Sequence, residues 1–456
     1  MPIRNFGIGV RALIQYGTEK VSSMVYNILD YGAVSDGVHN NAAAIQAAID
    51  ACSRTGGRVL IPAGSFLSGS LVLRSNVDLH LENGATLLSS MNPADMIDFS
   101  ESFEDDNADT GWEGGCFLFA QHERNITISG TGTIDGQGRL SFYDDDSDGG
   151  FHEAPLNVRG LRPRMSFLED VHNLTVKDVC FYDSAYWTLH MAGCRDVLIE
   201  NLRILNEEAG PNNDGIDPDC CKNVLIRGCI IRGGDDSVVV KTTAPMTRKY
   251  GGSENIVISG CIMKSRSCAL KIGTETWGDI HHITLSDCIL EDCTRGIGIW
   301  SRDGGQIHDI SIHHVSGNTR RYADCISRNT GVHYWWGKGD PIFLSATKRE
   351  NVTRIPGKIS RVFFDHVRVM CEGSIVIAGE KESPIEDVSL EQVHFVWKRQ
   401  GPHLPDCIDE RPSVRGCYLR ELPCIYIREG KNIEIQGQLL VEGDMKKYIK
   451  NEIIRE

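Results

Sequence analysis

Asp214, Asp235 and Asp236 are the residues whose type and spacing could do chemistry in this chain. They lie in two short clusters, Asn212-Asn213-Asp214-Gly215-Ile216-Asp217 and Gly234-Asp235-Asp236, with 21 residues from Asp214 to Asp235 and 22 from Asp214 to Asp236. Close carboxylates can divide the work of cutting a glycosidic bond: one protonates the leaving oxygen, another activates water or attacks the anomeric carbon. Crowding like charges raises one pKa, which keeps that acid protonated near neutral pH. Asp-Gly and Gly-Asp-Asp are also ordinary turn sequences, so the reading depends on a scaffold that sets the clusters side by side.

A repeat supplies that scaffold. A polar residue followed by alternating apolar positions recurs as Asn125-Ile-Thr-Ile, Asn173-Leu-Thr-Val, Asp196-Val-Leu-Ile, Asn223-Val-Leu-Ile and Asn255-Ile-Val-Ile. It continues as His282-Ile-Thr-Leu, Asp309-Ile-Ser-Ile, Arg361-Val-Phe-Phe, Asp387-Val-Ser-Leu and Asn432-Ile-Glu-Ile. From 173 to 309 the starts are 23, 27, 32, 27 and 27 residues apart, periods that mark a solenoid. Each tetrad alternates like a strand with one buried face. Six residues after the starts from Asn173 to Asp387 stands an apolar residue (Val179, Leu202, Cys229, Cys261, Cys288, Val315, Val367, Val393), which stacking places in one interior column. Cys229, Cys261 and Cys288 therefore read as small core residues. No Cys-x-x-Cys pair is present, and Cys220 and Cys221 point opposite ways in an extended chain. Asp178, Asn201, Gly228, Gly260 and Asp287, just before the column, suit sharp corners.

The predicted fold is all-β: a right-handed parallel β-helix with a short N-terminal capping helix. That helix is expected over residues 39–55, with Asn40 or Asn41 as N-cap and Gly56-Gly57 as the stop. Residues one coil apart lie about 4.8 Å apart along the stack, so Asp214 is expected beside Asp235-Asp236. Residues 1–24 read as an extension or a misassigned start, and residues 25–456 as a single β-helix domain. The acidic stretches 91–115 and 139–165 read as loops flanking a cleft. The segment 318–357 interrupts the repeat and carries Tyr334-Trp335-Trp336.

Composition narrows the partners. The net charge of −15 argues against nucleic acid or an anionic membrane, both of which attract basic surfaces. No run of 18 apolar residues occurs, so no transmembrane helix is expected. The first twenty residues hold no continuous apolar stretch, so a cytoplasmic location is expected, or secretion if the start is misassigned. No metal or cofactor is expected, and nothing indicates an oligomeric state.

At the acid clusters the sequence resembles glycoside hydrolase family 28, the polygalacturonase family, from about Tyr26 to Val396. Asp30-Tyr-Gly-Ala-Val-Ser-Asp-Gly, Ala44-Ile-Gln-Ala-Ala-Ile-Asp and Gly57-Arg-Val-Leu-Ile-Pro-Ala-Gly are similar to the family's N-terminal coil and cap. Asn212-Asn213-Asp214-Gly215 matches its Asn-Thr-Asp-Gly motif with Asn213 for threonine, and Asp235-Asp236 matches its Asp-Asp motif. The resemblance implies inverting hydrolysis of α-glycosidic bonds in a pectic polysaccharide or oligosaccharide, without a metal. Asp235 would be the general acid, and Asp214 and Asp236 would hold and activate water. Asn212, Trp187, His190, Lys241, Cys268, Lys271, Trp300 and Arg302 are the candidate substrate contacts. Trp187 would stack on a sugar face or serve as a core aromatic.

Two departures from the family pattern carry information. Its Gly-His-Gly motif falls at Ser267-Cys268-Ala269, and its Arg-Ile-Lys motif at Gly298-Ile299-Trp300. Those family cations hold a galacturonate carboxylate. Gly298 and Trp300 replace charge with an apolar plate, which suits rhamnose or another neutral sugar in a rhamnogalacturonan-type substrate. Alternatively Arg302, Lys271 or Lys241 restores the cation, Lys241 also serving to neutralise the aspartates. His281-His282 reads as a corner rather than a metal pair, and Glu275 as a substrate contact or a turn residue. A β-helix polysaccharide lyase, using a basic residue and calcium, and a non-catalytic carbohydrate-binding solenoid are the competing functions.

Overall fold

Each coil turns where a polar residue accepts a left-handed backbone. All the tetrad leaders, from Asn125 to Asn432, have φ between 50° and 59°. Asn and Asp tolerate that region better than other side-chain-bearing residues, and they fill most of these positions. Their side chains also bond from coil to coil. Asn125 Nδ2 donates to Asn76 Oδ1 at 2.8 Å, Asn173 to Asn125 at 2.9 Å, Asn223 to Asp196 at 2.9 Å and Asn255 to Asn223 at 3.1 Å. The second corner repeats the device, with φ of 65° at Asp178, 56° at Asn201, 66° at Gly228, 62° at Gly260 and 55° at Asp287. His282 is such a corner, exposed, with its ring against His281.

Between the corners run parallel strands, and the coils stack as a right-handed β-helix. The computed structural model describes residues 24–98, 115–146, 154–324, 338–350, 352–419 and 421–456. The first face is formed by the tetrad strands. There Leu174, Val197, Val224, Ile256, Ile283, Ile310, Val362, Val388 and Ile433 are register neighbours. All nine are buried. The second face begins at the column from Val179 to Val393, also buried throughout, with Cys229, Cys261 and Cys288 as free thiols. The third face is a 13-stranded sheet that follows chain order from Leu71–Val72 to Ile449–Arg455. The apolar interior is continuous from Ile28 to Ile449.

The helix α1 spans Ala42–Ser53 and inserts Ile45, Ala48, Ile49 and Cys52 into that core. It is shorter than expected because Asp36–Asn40 is a strand. Asn40 Oδ1 accepts from Ala42 N at 3.0 Å, while Asn41 turns inward to bond Val34 N at 2.6 Å. A second helix, α2 (Ala244–Tyr250), lies outside the third face. It packs Met246 with Cys116, Phe167, Ala192 and Cys220, while Cys221 faces the core.

The corner conformation yields a test. Asn223→Gly keeps the left-handed backbone and loses only the side-chain ladder. Asn223→Val adds about 1–2 kcal/mol of left-handed strain. The Val variant should therefore unfold at lower urea than the Gly variant, and equal midpoints would count against the corner as the constraint.

Candidate active site

The three aspartates stand at the mouths of adjacent strands on the third face, just before Ile216–Asp219 and Val238–Thr242. Thr188 N donates to Asp214 O at 3.0 Å and Gly215 N to Asp236 O at 2.9 Å, so the ladder itself fixes both clusters. A Cβ at Gly215 would overlap Ser237 O, which explains the glycine after Asp214. Asn213, fully buried, ties the two turns together: its Oδ1 accepts from Gly234 N at 2.9 Å and Asp235 N at 3.2 Å. One oxygen of each of Asp214, Asp235 and Asp236 lies within 4.8 Å of the other two.

The electrostatics of the three differ. Burial, then Asp235 and Asp217, push the Asp214 carboxyl well above its ordinary range, against the pull of Lys241. Burial and Asp236 raise Asp235 to about 6. Asp236 accepts from Ser267 Oγ at 2.7 Å and Lys271 Nζ at 2.8 Å. Asp235 accepts from two backbone groups, Asp236 N at 2.9 Å and Asn212 N at 3.2 Å. Lys241 Nζ sits 3.0 Å from Asp217 and 3.8 Å from Asp214. Burial opposes its charge, but Asp217 and Asp214 outweigh that and raise its pKa. Glu275 is ionised: burial favours its neutral form, but Lys241, Arg349 and Lys271 hold it at about 2. Three carboxylates so close have the donor chemistry for a hard divalent cation, yet Lys271 already occupies one oxygen of Asp236 and Lys241 stands beside Asp214.

Five of the candidate contacts line the cleft: Asn212, Trp187, Lys241, Lys271 and Trp300. Neither tryptophan offers a sugar platform. Lys241 Nζ stands 3.5 Å from the Trp187 ring centroid and Arg164 stands 4.7 Å from it, and the residue is 7% exposed. Trp300 is 3% exposed, stacked on Phe343 at 5.3 Å. Its ring folds back over Gly298, where a Cβ would overlap it. The apolar plate expected from the sequence is therefore covered.

Three expected contacts lie outside the cleft. His190 is buried beneath Trp187 and Phe167, its Nε2 3.5 Å from Asp219. Burial lowers its pKa to about 3, so it is neutral. Cys268 is buried, donating to Leu270 O at 2.9 Å and packing near Gly298. Arg302 is fully buried and spends its donors on Ser345 O at 2.9 Å, Pro412 O at 2.9 Å and Glu410 O at 3.1 Å.

Sequence reasoning passed over the arginines of the wall. Arg266, Arg295, Arg349 and Arg411 line the cleft with Glu275. Three of them are backed by an aspartate: Arg295 by Asp340 at 3.1 Å, Arg349 by Asp303 at 2.7 Å and Arg411 by Asp409 at 2.7 Å. Arg349 and Arg411 come from segments between coils, where no periodicity could announce them. Tyr334-Trp335-Trp336 and residues 99–114 and 147–153 of the two acidic loops lie outside the described residues.

Fold and site together define a β-helix protein whose cleft is centred on clustered carboxylates. The chain belongs to the glycosyl hydrolases family 28, whose model matches residues 52–323. A Vitis vinifera protein named probable polygalacturonase is 28% identical over 280 residues, 59% of this chain and 55% of that one. Plasmin and fibronectin-binding protein A of Streptococcus pneumoniae is 32% identical over 188 residues, 40% of this chain and 24% of that one. The Yersinia enterocolitica family 28 exopolygalacturonase structure superposes with a TM-score of 0.67 at 19% identity, covering 95% of this chain and 78% of that one. The chain spans 55%, 45% and 43% of the lengths of three plant polygalacturonase relatives, about half.

The raised acid has a thermodynamic signature. Asp235 moves from an ordinary 3.8 to about 6 on folding. The folded protein then binds more protons between those values, so this group's contribution falls as pH rises through that window. Asp235→Asn is expected to raise the urea midpoint at about pH 7, with the gain vanishing below about pH 4.

Proposed function

We propose that the protein is a glycosidase acting on pectin-type polysaccharide or oligosaccharide, with Asp235 as general acid and Asp214 and Asp236 handling the attacking water. One observation carries the assignment: the two lysines divide between the outer members of the triad. Lys241 stands beside Asp214 and Lys271 beside Asp236, and among the described residues no cation lies within ion-pair distance of Asp235. With no cation beside it and burial raising it to about 6, Asp235 carries a proton that it donates readily near neutrality. Asp214 Oδ1, buried and without a hydrogen-bond partner among the described residues, suits an oxygen that takes up a proton from water.

The named relatives and the arginines of the wall support a galacturonate-containing chain. Gly298 and Trp300, which carry no charge, support the neutral-sugar alternative. Rates on homogalacturonan against rhamnogalacturonan oligosaccharides separate the two. On stereochemistry, family membership supports inversion. Proton NMR of the first product decides: a β-anomer from an α-bond means inversion.

Asp235→Asn should lower kcat by about 10²–10⁴ while oligosaccharide binding persists. A lyase would instead yield an unsaturated uronide that absorbs in the ultraviolet and would stop in EDTA. A binding-only solenoid, the reading that likeness to the streptococcal protein supports, would show no wild-type turnover to lose.

A further inference from the structure

The cations around the cleft are not equivalent. Lys241, 4% exposed, and Lys271, 18% exposed, are committed to the aspartates. Arg295 gives Nε to Asp340 and Nη2 to Asp409 O, both at 3.1 Å, and its side chain is 9% exposed. Arg349 is arranged differently. Its Nε donates to Asp303 Oδ1 at 2.7 Å, and its Nη2 to Asp303 Oδ2 at 3.1 Å and Thr274 O at 3.0 Å. Asp303 is itself held by Thr276 N at 2.9 Å and Arg302 lies beside it in the chain, buried. The guanidinium plane is thus clamped along one edge. Glu275 stands 3.8 Å from Nη2 and guards that side. Nη1 makes no hydrogen bond among the described residues, on a side chain that is 24% exposed and lines the cleft. With Nε and both Nη2 hydrogens spent, a fixed cationic Nη1 suits a carboxylate better than a hydroxyl, because charge-assisted bonds are about twice as strong as neutral ones.

We infer that Arg349 is a specificity-determining residue, its Nη1 edge recognising the carboxylate of a uronate unit bound in the cleft. This inference rests on the pectic glycosidase reading above and adds the residue that selects charge. Arg349 supplies from the segment between coils a cation that positions 298 and 300 lack. It touches no reacting atom, so its contribution is to binding rather than to the chemical step.

The test compares wild-type, Arg349→Gln and Arg349→Lys on oligogalacturonides and on the same oligosaccharides as methyl esters. The ratio of kcat/KM for acid over ester cancels any loss of folded enzyme, since both substrates meet one preparation. Arg349→Gln should lower that ratio by about tenfold or more, through KM on the acid with kcat nearly kept. Arg349→Lys, which restores charge without the clamped guanidinium geometry, should recover part of it. An unchanged ratio in an active Arg349→Gln enzyme overturns this inference alone. A wild-type protein that cleaves neither substrate overturns the reading of the site, and this inference with it.

Discussion

Neighbouring strands of a parallel ladder sit about 4.8 Å apart, and the cleft inherits that distance. Asp214 leaves one coil and Asp235-Asp236 leave the next, each anchored by ladder bonds at the mouth of its strand. Three carboxylates consequently meet within one step of the stack. Left alone they would repel, and the same register answers the problem. Strand neighbours bring Lys241 and Lys271 onto the outward side of the sheet. Each lysine takes one flank of the triad.

Burial gives this arrangement its chemical character. In water, three aspartates would titrate near their ordinary values. Under the cover of Trp187, Trp300 and the arginine wall, desolvation raises Asp214 and Asp235. The cations that restrain the rise are Lys241 at Asp214 and Lys271 at Asp235, the first held by buried Asp217 and the second by buried Asp236. Trp187 lies between Lys241 and Arg164 and fixes the ammonium's place rather than presenting a face to sugar. The site is therefore an alternation of charges in a poorly solvated wall, where interactions are stronger than on an open surface.

What could be read from the sequence was whatever the repeat converts into distance. The corner residues, the interior column with its cysteines and the meeting of Asp214 with Asp235-Asp236 all follow from period alone. The walls do not, because their residues break the period or fold back on it. Arg349 and Arg411 arrive from segments between coils. Trp300 keeps its place in the strand, but the missing side chain at Gly298 lets the indole lie down and hide. His190 points outward as alternation requires, yet Trp187 and Phe167 cover it. In each case the decisive contact comes from a residue whose proximity no local pattern records. The likeness to known enzymes marked the acids, while three of the expected substrate contacts, His190, Cys268 and Arg302, belong to the packing beneath and beside the cleft.

The coil-to-coil amide bonds at the Asn corners have a consequence beyond holding the rod together. Junctions built this way share nearly the same local connection, so a turn duplicated or deleted there, far from the cleft, would alter the length of the molecule while sparing its chemistry. One seam has no such freedom. An added turn between Asp214 and Asp235 would separate them by roughly 9.6 Å, and the proton donor would lose its neighbour. Growth of the rod and preservation of the reaction are thus independent only away from the coils that build the cleft.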